Sequence, residues 1–154
     1  MKTFLASTAL ACVLIVPALA SGQTAPTAAV QADLAKLRAD ATSTSATIVA
    51  DAQKLAADAA AAKAGTKAQA KATVKPELAK LKADITAARA LLKADRAQLQ
   101  SSLAALKGTK GARKSIKADL KATRAAVKQA RTAAHDAVKA AHAAVKDMRA
   151  SFKK

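Results

Sequence analysis

Leu34-Ala35-Lys36-Leu37-Arg38-Ala39-Asp40-Ala41-Thr42 recurs in the same chain as Leu78-Ala79-Lys80-Leu81-Lys82-Ala83-Asp84-Ile85-Thr86, identical at seven of nine positions. In both copies the leucines stand three residues apart with an alanine and a lysine between them, which is helical spacing. A weaker third copy begins at Lys117-Ala118-Asp119-Leu120. A single amphipathic helix cannot bury its own stripe, so a multiplied unit implies helices packed on one another.

Larger side chains extend this reading in both directions. Val30, Leu34, Leu37, Ala41, Thr44, Ile48, Asp51 and Leu55 step alternately by four and three, a heptad seam interrupted by small and polar residues. Leu78, Leu81, Ile85, Ala88, Leu92, Asp95, Leu99, Ser102 and Leu106 repeat it. A third seam carries Ile116, Leu120, Thr123, Val127, Ala134, Val138, Ala141, Val145, Met148 and Phe152. No stretch alternates with period two over a useful length, so no strand is expected.

Punctuation agrees with the seams. Gly65-Thr66 closes the first helix, Lys75-Pro76-Glu77 opens the second with proline in its first turn, and Gly108-Thr109-Lys110-Gly111 separates the second from the third. The pattern predicts helices over about 28–64, 76–107 and 112–152, the last being the longest. Residues 65–75 read as a lysine-rich linker, with 67–74 open to being a helical extension. The expected fold is all-α, an elongated antiparallel three-helix bundle or coiled coil. Alanine, the best helix former, dominates it. Alanine contributes little apolar area at a seam, so packing energy is small and self-association through the seams is a natural supplement.

Ahead of the domain, Lys2, the apolar run Phe4 to Val16 and Pro17-Ala18-Leu19-Ala20 form the pattern of a secretory signal peptide spanning 1–20. The run is shorter than the roughly 20 residues a spanning helix needs. Cleavage after Ala20 leaves residues 21–27 as a flexible leader and 28–154 as the helical domain. It removes the chain's only cysteine, Cys12, and leaves 26 bases against 10 acids. The expected location is periplasmic or secreted, with no transmembrane span in the mature chain.

The acids are regular: Asp33, Asp40, Asp51 and Asp58 are spaced 7, 11 and 7, and Glu77, Asp84 and Asp95 are spaced 7 and 11. Eighteen residues make five turns, so each set forms a straight line beside the apolar stripe. Pairs at i to i+3, such as Asp33 with Lys36 or Glu77 with Lys80, are each worth ~0.2–0.5 kcal/mol.

Catalytic signatures are lacking. The mature chain has no Cys, Trp or Tyr, its histidines are His135 and His142, and no glycine-rich phosphate loop occurs. Those histidines are seven apart, whereas chelation on one helix uses i and i+4, so no metal or cofactor is assigned. Asp136 adjoins His135, but neighbouring helical residues point apart. No recognisable base or elbow accompanies any serine. The chain reads as non-enzymatic.

Charge carries the functional content. Residues 21–75 and 76–109 each hold a net +3, and residues 110–154 hold +10. In the last segment Arg113, Lys117, Lys121, Arg124, Lys128, Arg131, Lys139, Lys146 and Arg149 form a broad face, read as opposite the Val and Leu stripe. Such a face suits a polyanion, with affinity that falls as salt rises. The expected partner is an anionic envelope polymer or an acidic protein surface. With Phe152 the one Phe, Trp or Tyr of the mature chain and no zinc-finger spacing, sequence-specific nucleic-acid binding is not expected. The alternatives are a helical stress or spacer protein without a specific ligand, a holdase, or a DNA-compacting protein if the leader is retained in the cytoplasm. In composition the chain resembles linker-histone-like bacterial tails, and a leader followed by long basic helices resembles periplasmic holdase chaperones. It lacks the tandem Pro-Ala-Lys-Lys units of the first and a strand segment for an oligomeric barrel of the second, so no residue is carried over from either.

Overall fold

Asp95 of the second helix meets Lys36 of the first, Lys80 meets Asp51, and Glu77 meets Lys54. One partner's number falls as the other's rises, which fixes the first two helices as antiparallel. The computed structural model describes residues 25–107, 109 and 111–153. Helix α1 is Ala25–Ala61, α2 is Lys67–Ala105, α3 is the single turn Ala112–Ser115, and α4 is Lys117–Ser151. Against α4 the partners rise together: Gln31 donates to Asp119 at 3.3 Å, Arg38 to the Thr123 hydroxyl at 3.0 Å and Ser45 to the Ala130 carbonyl at 2.7 Å. Helices α1 and α4 are therefore parallel.

The molecule is an all-α, up-down-up bundle with α1 in the middle. Helix α1 packs along both neighbours, whereas α2 and α4 stay apart. At about 1.5 Å per residue its long helices run ~55 Å. No strand occurs among the described residues, and no described helix is long and apolar enough to cross a membrane.

Seam residues do what their spacing implies. One core cluster joins Ile48 and Leu55 of α1, Val74 and Leu81 of α2, and Val145 and Met148 of α4. A second joins Val30, Leu34, Leu37, Leu99, Leu106 and Ile116 at the opposite end. Each fully buried leucine contributes about 1.5–3 kcal/mol. Among its larger seam residues α1 also buries the small Ala41, Ser45, Ala52 and Ala59, and the Ser45 hydroxyl reaches the Ala130 carbonyl of α4.

Four expectations need correction. Of the expected linker 65–75 only Gly65 and Thr66 lie outside a helix, and for 67–74 the helical alternative holds: α2 begins at Lys67, and Pro76 is its tenth residue rather than in its first turn. A capping box decides the start, with the Thr66 hydroxyl accepting from Gln69 N–H at 3.3 Å and the Gln69 carbonyl oxygen accepting from Thr66 N–H at 2.9 Å. Pro76 leaves the Ala72 carbonyl without its helical donor, a cost the flanking alanines and lysines and the buried Val74 outweigh. The connection from α1 is only the 3₁₀ turn Ala62–Ala64 plus Gly65 and Thr66.

Consequently α2, at 39 residues, is the longest helix, not the third. The third expected helix, 112–152, is broken at Ile116. There the fully buried side chain turns into the core, and Gly111 at φ 82° supplies the left-handed residue ahead of α3. The leader and its cleavage site, 1–20, lie outside the described residues. Of the expected flexible segment 21–27, residues 25–27 already belong to α1.

Candidate anion-binding trough

The acids were expected to pair at i to i+3 and instead pair across helices. Lys36 bridges Asp40 of its own helix at 2.6 Å and Asp95 of α2. Lys80 bridges Asp84 at 2.9 Å and Asp51 of α1 at 2.5 Å, and Lys54 bridges Asp58 at 3.1 Å and Glu77. Asp33 accepts from the Ser102 hydroxyl at 2.6 Å. A lysine four residues before its carboxylate on one helix also reaches a second carboxylate across the antiparallel interface. Hydrogen bonds that Lys36 donates to Asp40 and then Asp95 push its pKa up to about 12. Lys80 is likewise raised by Asp51 and Asp84, and Lys54 by Glu77 and Asp58. The donated bond from Lys36 holds Asp40 below the usual carboxylate range, and contacts with Asp51 and then Lys80 do so for Asp84.

This edge gathers six of the seven acids of α1 and α2 against three lysines, and the seventh, Asp33, against Ser102. The rest of the surface is correspondingly basic. On α4 the residues Lys117, Lys121, Arg124, Lys128, Arg131, His135, Lys139, His142, Lys146, Arg149 and Lys153 follow one another at steps of four and three, and every one is exposed. At about 100° per residue they fall within one narrow stripe. None of the three acids after residue 110 lies on it. All nine bases expected at the site are exposed, eight on this ridge and Arg113 on α3.

The ridge does not lie opposite the apolar stripe. It runs a quarter turn from it and forms one lip of a trough between α4 and α2. Toward the far end of α4 the trough opens a cleft of about 560 Å³, where Lys82 of α2 faces His142, Lys146, Arg149 and Lys153 across Leu78 and Val145. In the middle it widens to about 800 Å³, where Arg89, Lys93 and Arg96 of α2 face Arg131 and His135. No carboxylate lines either cleft, and among the described residues no lysine or arginine lining them has a side-chain hydrogen bond or ion pair.

Of the expected site residues, the structure brings Arg131, Lys146 and Arg149 to the clefts. Lys117, Lys121, Arg124 and Lys128 continue the ridge toward the other end, Lys139 stands on its outer side, and Arg113 lies apart on α3. Sequence reasoning missed the α2 wall. Its signal was present: Lys75, Lys82, Arg89 and Arg96 are spaced by sevens and so occupy one line of α2.

The histidines are exposed, and His135 Nδ1 lies 3.3 Å from Asp136 Oδ1, so these neighbours meet despite being adjacent on the helix. Both are exposed, and among the described residues no serine is hydrogen-bonded to either. No group of three or more His, Cys, Asp or Glu side chains able to hold a metal occurs among the described residues. Comparison with protein-family models, curated proteins and solved structures finds no match for this chain.

Proposed function

We propose that this is a non-enzymatic binding or scaffolding protein of the cell envelope, which engages anionic polymers along the α4 ridge and the trough beside it. The observation that carries the reading is the segregation of charge. Ion-pairing acids sit on the α1–α2 edge, while the bases of α2 and α4 face one another across two clefts that no carboxylate lines among the described residues. Lysines and arginines without an ion pair among the described residues keep their full charge for a ligand, and a linear polyanion that displaces their counterions gains affinity. The span of the ridge, from Lys117 to Lys153 over about 50 Å, suits an extended polymer better than a compact anion.

Export rests on the leader pattern at 1–20, and places the partner among phosphate- or carboxylate-bearing envelope polymers. The test is affinity for a linear polyphosphate and a teichoic-type polymer across a salt series, beside fractionation of the producing cell and mass determination of the chain. Steep salt dependence and a product beginning at Ser21 support the proposal. Salt-independent or absent binding, or a cytoplasmic product retaining Met1, overturns it.

A further inference from the structure

The middle cleft has a property a polyanion does not use. It sits between the two core clusters, at the level where α1 presents Ala41 and Ser45, α2 presents Ala88, and α4 presents Ala130 and Ala134. Small side chains from all three helices coincide there, so the bundle is underfilled and the cleft reaches α1. Its floor is apolar: Ile48, Ile85, Leu92, Val127 and Val138 line it. The two hydroxyls on the floor are turned to backbone carbonyls, Ser45 to Ala130 at 2.7 Å and Thr44 to Asp40 at 2.6 Å. They present no polar demand to a ligand. Above the floor stand Arg89, Lys93, Arg96 and Arg131.

An apolar floor beneath unpaired cations, in a volume within the range of small-molecule sites, matches one chemistry. We infer that this cleft binds a single-chain anionic amphiphile, a long-chain alkyl carboxylate, with its chain along the floor and its headgroup among the four cations. Electrostatic complementarity sets the headgroup's sign and the floor sets the requirement for a chain. A polymer without alkyl groups would leave the floor wet. The inference shares cations with the proposed function but has its own ligand, and it stands or falls separately.

The test is calorimetric titration of the full chain with octanoate, decanoate and dodecanoate, each below its micelle concentration. Each buried methylene tightens binding about fourfold, so a clear rise along the series is expected. Ala134→Leu and Ala88→Leu fill the cleft without touching its charge, and are expected to abolish dodecanoate binding while leaving polyphosphate binding in place. Affinity independent of chain length in the unaltered protein, or undiminished in filled variants that retain their helicity, overturns the inference. Loss of polyphosphate binding with the chain-length series intact would instead overturn the polymer reading alone.

Discussion

Lys36 stands to Asp95 as Lys80 stands to Asp51. Each lysine bridges its own i+4 aspartate and one carboxylate across the α1–α2 interface, and a shift of 44 residues converts one set into the other. The same shift carries Val30 to Val74, Leu37 to Leu81 and Leu55 to Leu99, all buried. It also carries the Asp33–Ser102 contact onto the pair Glu77 and Asp58, which Lys54 bridges. The internal repeat is thus a physical device: one helical unit, doubled and folded back, presents the same contacts to its copy in both directions.

Because the two bridges are equivalent, Lys36→Ala and Lys80→Ala are expected to lower the melting temperature by similar amounts. The sites are ~20 Å apart along the hairpin and share no partner, so the double variant should be additive. Thermal unfolding by circular dichroism checks both statements.

Stability should be flat through neutral pH and fall at both extremes. Asp40 and Asp84 titrate below the ordinary 3.8, so their contribution is complete above that value and is lost as pH falls through their folded pKa. Lys36 and Lys80 titrate above the ordinary 10.5, so theirs is complete below 10.5 and is lost as pH rises, for Lys36 through about 12. Melting temperatures across the pH range should show this plateau. A maximum confined to the acid side would contradict it.

The start of α2 makes opposite predictions for two nearby residues. Thr66→Ala removes the capping hydroxyl and should cost about 1 kcal/mol. Pro76→Ala restores a donor to the Ala72 carbonyl on an exposed face, and should stabilise by about 1–3 kcal/mol. Urea unfolding measures both.

Leu34 and Leu55 are fully buried in different clusters, so Leu34→Ala and Leu55→Ala should each cost about 2–5 kcal/mol. Leu91 is exposed, and Leu91→Ala should be nearly neutral by the same measurement.

The seams from Val30 to Phe152 were legible because burial follows period and nothing competes with it. The α2 start was not, because Pro76 is the strongest local breaker and the Thr66–Gln69 box, a weaker signal, lies outside the seam. The i+3 pairs were local guesses about lysines whose preferred partners are on another helix, a distance no helical wheel contains. The α4 bases were visible as charge, but their role as one lip of a trough needed Arg89 and Arg96 opposite them. The cleft needed the coincidence of Ala41, Ala88 and Ala130 at one level, which depends on register between helices.

The central claim is that the trough, rather than net charge, holds the anion. Its most direct test is polyphosphate affinity against salt for two variants that each lose four positive charges. One replaces Arg96, Arg131, Lys146 and Arg149 by glutamine, and the other replaces the exposed Lys63, Lys67, Lys71 and Lys114, which line neither cleft. The account predicts that the first loses far more affinity and that its slope of log affinity against log salt drops by roughly one per contact removed. Equal losses and equal slopes in the two variants would contradict it.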